Sequence, residues 1–440
     1  MSNTRKIFKI ALFASLGAVF SAAPALADNT TETTYVFNTF SFLFNGALVM
    51  FMAAGFAMLE SGLVRSKNTA TICLKNISLY AVAGIMFYLI GYNIMYTGVD
   101  GGFIGTFAPW AADDAAALAG KFDAGYSASS DWFFQMVFVA TAASIVSGTV
   151  AERIKLWPFL VFTTVLTAVI YPITGAWQWG GGWLSKLGFA DFAGSTLVHS
   201  VGGWAALSGA IILGARKGKF HADGSIQPFP GSNMPLATLG TFILWLGWFG
   251  FNGGSQLALG SAADVIAMAN IYANTNMAAA AGIVAAMAMT QMMYKKVDLS
   301  LALNGAIGGL VSITAGPDTP TLGSAIIIGA IGGILVVLAV PLIDKLKIDD
   351  VVGALSAHLV CGIWGTMAVP FTNPDTHFST QLIGVVSIGA FVLVTTSIVW
   401  LALKYTVGIR CSEEEEEIGS DKAELGMEAY PEFGRGSHTV

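Results

Sequence analysis

Eleven stretches of this chain run for about twenty residues or more without a charged side chain. They lie at 33–59, 76–99, 132–151, 156–185, 192–215, 224–263, 265–294, 299–317, 319–343, 351–374 and 376–403. Each can hold the roughly 20-residue helix that crosses about 30 Å of hydrocarbon. Backbone N–H and C=O groups find no water partners there, so these runs must satisfy them internally, as helices do. Only 11% of the residues are charged, against about 25% in an ordinary soluble domain. The expectation is an all-α integral membrane protein of eleven transmembrane helices in a lipid bilayer. The 51 glycines suit such a bundle, because small residues let helix backbones approach closely in lipid.

Charge placement sets the orientation. Residues 1–27 read as a cleaved signal peptide: Arg5, Lys6 and Lys9 precede a short apolar run, and an Ala-x-Ala pattern closes at 25–27. An uncleaved first helix is the alternative. Cleavage places Asp28 outside the inner membrane of a bacterium. The segments that then face inward hold Arg65, Lys67, Lys75, Arg153, Lys155, Arg216, Lys217, Lys219, Lys295, Lys296, Lys345, Lys347, Lys404, Arg410, Lys422 and Arg435. Those facing outward hold only Lys121 and Lys186. Sixteen against two follows the positive-inside rule and requires an odd number of spans, N-terminus out and C-terminus in. Ten helices plus one suggest an inverted 5+5 repeat with a C-terminal eleventh, a common plan for transporters. The membrane domain then runs over 28–408, and 409–440 forms a cytoplasmic tail.

Two ionisable residues fall in the middle of these runs, His199 and His358. Each lies in the fifth span of its proposed half and is followed four residues later by a glycine, Gly203 and Gly362. The plain alternative is two histidines that each hydrogen-bond a neighbouring helix. Ionisable groups are expensive inside a membrane and commonly mark a pathway. Neutral imidazole donates at one ring nitrogen and accepts at the other. With no Asp or Glu expected mid-span beside them, the pair suits a small neutral polar solute or a proton relay rather than a bare cation. The doubled "GAIGG" at 305–309 and 329–333 reads as helix packing. Cys73, Cys361 and Cys411 show no metal-ligand spacing. No cofactor, metal or nucleic-acid motif and no nucleophile–base set appears, so an enzyme is not expected.

The segments "FADFAGSTLVHSVGGWAAL" (189–207), "LGWFGFNGGS" (246–255), "HLVCGIWGT" (358–366), "FFQMVFVATAASIVSGTVAER" (133–153) and "WQWGGGWL" (177–184) resemble the ammonium transporter (Amt/Mep/Rh) family. The similarity runs from about residue 35 to the tail. The resemblance implies a homotrimer that transports ammonium or ammonia, with methylammonium as an analogue. It implies a recruitment site of Trp179, Phe138 and Ser255, where an aromatic face attracts the cation. It also implies a pore gate of Phe138 and Phe251, and a pore lined by His199 and His358, with Phe134, Gln135 and Trp248 near the mouth. Asp191 reads as a helix N-cap; the resemblance makes it a carboxylate that shapes the recruitment site. Trp179 alone would be an interfacial belt residue.

Some relatives carry an Asp five residues before the second histidine, where this chain has Gly353. The Asp349/Asp350 pair is expected at a cytoplasmic helix end, where acids favour an N-terminus. The acidic tail from about 408 has the composition of a solvated segment. Its "G-x-D…G-x-E-A-Y" pattern resembles the family's C-terminal segment, which packs under the pore and takes part in docking a PII-type nitrogen signal protein. Two other functions fit a five-plus-five membrane protein: a sodium-coupled symporter, which needs broken helices at the midplane, and an ammonium sensor signalling through its tail.

Overall fold

The computed structural model describes residues 31–431; the expected signal peptide and Arg435 lie outside the described residues. These residues form helices joined by loops, with no β-strand among them. Nine helices are long and apolar enough to cross a membrane: α1 (Thr31–Leu63), α2 (Ser66–Tyr96), α3 (Ala128–Thr149), α4 (Leu156–Leu187), α5 (Ser195–Leu213), α6 (Met234–Gly254), α7 (Ala262–Tyr294), α9 (Leu322–Lys345) and α11 (Phe378–Thr406). Two shorter apolar helices, α8 (Leu299–Ile313) and α10 (Leu355–Phe371), complete the series. Each of the eleven uncharged runs overlaps an apolar helix, nine of which among the described residues are long enough to span.

The glycines do what lipid-embedded packing asks of them. In α7, Gly282 and Ala278 are clamped by both "GAIGG" segments. A Cβ on Gly309 or Gly329 would stand 2.3 or 2.2 Å from the Ala278 carbonyl oxygen. One on Gly333 would stand 2.1 Å from that of Gly282. Real Cβ atoms cannot approach a backbone so closely, so α7, α8 and α9 touch along a seam of small residues. Gly333→Val is therefore expected to destabilise the chain by about 1–3 kcal/mol or more, the usual range for overpacking. Thermal unfolding in detergent measures this, and an unchanged midpoint would contradict the packing argument.

Charged residues that bound the uncharged runs also lie buried within helices, two of them in α1 and α2. Glu60 sits on α1 and Lys75 on α2, 1% and 2% exposed. Both bound charge-free runs in the sequence, yet the helices continue past them.

The tail is not a free segment over its described length. Ser412 and Glu415 form a capping box that starts α12 (Glu413–Ile418). Beyond it, the Asp421 carboxylate accepts from the Ala70 and Thr71 amides at 2.9 and 2.7 Å, capping the start of α2. Glu416 accepts from the Lys217 amide and the Arg410 guanidinium, both at 2.7 Å. The tail thus closes over the loops at one end of the bundle.

Candidate functional site

His199 and His358 meet in the middle of the bundle. Each lies in a wide π-type turn that opens its helix, Ser195–Ser200 in α5 and Leu355–Val360 in α10. Such turns recur at functional positions. The sequence reason is a pattern present twice, D-x-x-G-x-x-x-x-H, at Asp191–Gly194–His199 and Asp350–Gly353–His358. Gly194 and Gly353 have φ +109° and +79°, a left-handed backbone suited to glycine. That turns the chain so that the preceding carboxylate caps the helix behind it. Asp191 accepts from the amides of Gly194, Ser195, Thr196 and Leu197 at 2.8–3.1 Å. Asp350 accepts from Ala354 and Leu355 at 3.2 and 2.7 Å, and from the Thr149 hydroxyl at 2.9 Å. Gly353 thus suits the left-handed turn that this cap needs. Burial pushes both carboxyls up to about 6 against these donors.

The two imidazoles are near-parallel, with ring centres 5.3 Å apart and their Nδ1 atoms separated by 3.2 Å. That contact needs one Nδ1–H donor and one bare Nδ1 acceptor, so the neutral rings hold opposite tautomers. Trp248 stacks on His199 at 4.8 Å, and its indole N–H donates to the Thr314 hydroxyl at 2.8 Å. It therefore lies beside the histidines and not at the mouth. Phe251 is 5.3 Å from His199 and stacks on Phe138 at 4.0 Å. Phe138 in turn meets Trp179 edge-on at 6.2 Å.

Beyond Phe138 opens a vestibule of about 370 Å³, whose lining includes Trp179, Phe134, Gln135, Phe138 and Ser255. Trp179 is held by its indole N–H, which donates to the Asp191 main-chain carbonyl at 3.0 Å. Ser255 donates to the Phe251 carbonyl at 2.8 Å, leaving its oxygen lone pairs as acceptors. The structure thus brings Trp179, Phe138, Ser255, Phe134 and Gln135 to one cavity. Asp191 reaches it only through the Trp179 bond.

Asp131 also lines this vestibule, a residue that only bounds an uncharged run in the sequence and is absent from the expected site. Tyr92 donates to one of its oxygens, and Gln135 to the other at 3.2 Å. Its position four residues before Gln135 and seven before Phe138 was the available signal, since that spacing puts all three on one helix face.

Below the histidines, His358 borders a small cavity of about 10 Å³. Asn304 and Val352 line both this cavity and a vestibule of about 500 Å³ near Arg216 and Lys219. Vestibule, stacked phenylalanines, paired imidazoles and inner cavity thus form one column between α1, α3, α5, α6 and α10. Among the described residues no cluster of ligating side chains could hold a metal ion.

The model of the Ammonium Transporter Family matches residues 40–430. A putative ammonium transporter of Synechocystis sp. is 42% identical over 95% of this chain and 94% of its own length. Ammonium transporter Amt2 of Archaeoglobus fulgidus is 39% identical over 88% of this chain and 87% of its own length. Among solved structures, one titled a sensor Amt protein superposes with a TM-score of 0.82 at 37% identity, over 89% of this chain and 98% of that one. Mep2 of Candida albicans gives 0.76 at 28% identity, over 86% and 87%. The chain belongs to the ammonium transporter family.

Proposed function

We propose that this chain recruits ammonium at the aromatic vestibule, deprotonates it, and conducts ammonia past His199 and His358. In this reading all eleven apolar helices span a bacterial inner membrane as two inverted halves plus α11, with the vestibule outside and the tail inside. The protein works as a homotrimer. The observation that carries the reading is the column itself: two stacked phenylalanine rings close a polar, acid-bearing vestibule directly over a pair of neutral imidazoles.

The energetics favour shedding the proton. An amine titrating about two to three units above neutral needs roughly 3–4 kcal/mol to deprotonate at pH 7. Placing an ion in dry protein costs on the order of 20 kcal/mol in the idealised limit. Ammonia is therefore the cheaper species to pass, and potassium, which has no proton to lose, stays outside. Trp179 and Phe138 offer ring faces, the Ser255 oxygen a hydrogen-bond acceptor, and Asp131 and Asp191 a negative field. Whether the shed proton follows through the histidines decides whether transport carries charge.

Proteoliposomes of the full chain on a solid-supported membrane test this. Ammonium pulses should drive currents or methylammonium uptake, and potassium pulses should not. Trp179→Leu should raise the half-saturating ammonium concentration by about 2–30-fold, the equivalent of a cation–π contact. Equal potassium and ammonium currents would overturn the reading.

A second reading, an ammonium sensor, is favoured by the likeness to the structure titled a sensor Amt protein. The packed tail suits either, because a PII-type protein that pulled Asp421 from the start of α2 would reach the bundle directly.

A further inference from the structure

Glu60 and Lys75 are two buried residues of opposite charge that the route through the histidines leaves unused. Ser147 stands between them: Lys75 Nζ donates to its carbonyl at 2.8 Å, and its hydroxyl donates to Glu60 Oε2 at 2.7 Å. Asn76 adds a donor to the same oxygen at 3.2 Å. Glu60 Oε1 is buried and has no hydrogen-bond partner among the described residues. A carboxylate inside a bundle carries a heavy desolvation penalty. Leaving one oxygen unmet adds to it, which argues that the oxygen has a ligand.

The place where a ligand would sit is the small cavity. Glu60 lines it together with His358, Ser144 and Asn304. Its volume of about 10 Å³ is that of a single water-sized molecule. Gly148 leaves room at the cavity wall, since a Cβ there would lie 2.4 Å from the Val352 Cγ2 methyl, which also lines the cavity. Ammonia and ammonium are both of that size. The cavity lies past His358, against the vestibule on the Arg216 side.

We propose that Glu60 forms an inner ammonium site, where ammonia leaving His358 regains a proton. This rests on the transport reading. Protonated Glu60 gives its proton to ammonia: the carboxyl O–H bond breaks, an N–H bond forms, and the carboxylate left behind neutralises the new ammonium. Ammonium then leaves for the vestibule, and hydronium from the aqueous side reprotonates Glu60, releasing water. Lys75, tied to Ser147, keeps the carboxylate form tolerable between turnovers.

The test uses the full chain in proteoliposomes, with Glu60→Gln, which keeps the shape and loses the exchangeable proton. The expected result is a maximal ammonium-driven rate at least about tenfold lower, with the half-saturating concentration at the Trp179 side unchanged within about twofold. A purely structural role would disturb both together. A Glu60→Gln protein with the wild-type maximal rate, or with both parameters shifted in parallel, overturns the proposal. Should Glu60→Gln fail to fold, Ser144→Thr adds one methyl to the cavity wall and leaves Glu60 in place. Loss of rate there supports the site, and an unchanged rate overturns it. A wild-type chain that moves no ammonium would instead bring down the transport reading, and the inner site with it.

Discussion

Replacing either His199 or His358 with alanine is expected to lower methylammonium uptake by about ten- to a hundredfold, the equivalent of one lost buried hydrogen-bond partner. The two rings share a single Nδ1–H bond at 3.2 Å, so truncating one strips the other of its partner. The survivor then loses its fixed tautomer, and with it the alternation of donor and acceptor that ammonia would meet on the proposed route. Alanine also opens space beside Trp248 and Phe251. Water entering that space lowers the penalty that excludes ions, so the same variants should admit potassium. Uptake and potassium current measured on one preparation separate the effects. Wild-type methylammonium uptake with selectivity intact in both variants would remove the histidines from the mechanism.

How the sequence could carry so much of this, and where it stopped, follows from the physics of burial. A run of twenty uncharged residues is legible because lipid forbids nearly everything else, and nine of the helices that overlap these runs are long and apolar enough to span. Counting charge-free runs, however, puts every charge outside a helix by construction. Glu60, Lys75 and Asp131 were misplaced for that reason. Each is buried within a helix because a specific partner, Ser147 or Tyr92, meets it there. Partners contributed by other helices leave no local trace. The twofold D-x-x-G-x-x-x-x-H pattern was legible and went unread. Its meaning depends on a positive φ at Gly353, which became visible only beside the capping bonds of Asp350. The resemblance alone sets Trp248 near the mouth, whereas its stacking on His199 comes from α5 meeting α6.

The arginines that indicated orientation also turn out to close one end of the molecule. Four loops bring Arg65, Glu152, Arg216 and Asp349 together. Arg216 grips Asp349 with two guanidinium bonds of 2.8 and 2.9 Å and adds its own amide at 2.8 Å. It also reaches Glu152 at 3.2 Å, which Arg65 meets at 2.6 Å. Asp349→Ala leaves the Arg216 guanidinium buried with half its partners gone. Breaking such a pair costs about 3–5 kcal/mol, and the loss should appear in thermal unfolding at pH 7. Burial pushes the Asp349 and Glu152 carboxyls up, but the Arg216 fork on the first, and the Arg216 and Arg65 charges on the second, outweigh it. Both are held below the ordinary carboxylate range. Depressed values contribute stability that is complete above the unfolded-state values of about 4 and is lost as pH falls through the lower folded ones. Asp191 and Asp350 act with the opposite sign: their raised values near 6 make ionisation costly as pH climbs from about 4 to 6. The wild type should therefore gain a little stability on acidification to about pH 5 and lose it steeply below about 4. Asp349→Ala should keep the first change and show less of the second. A loss under about 1 kcal/mol at pH 7, the scale of an exposed pair, would mean that this end of the bundle is held by packing alone.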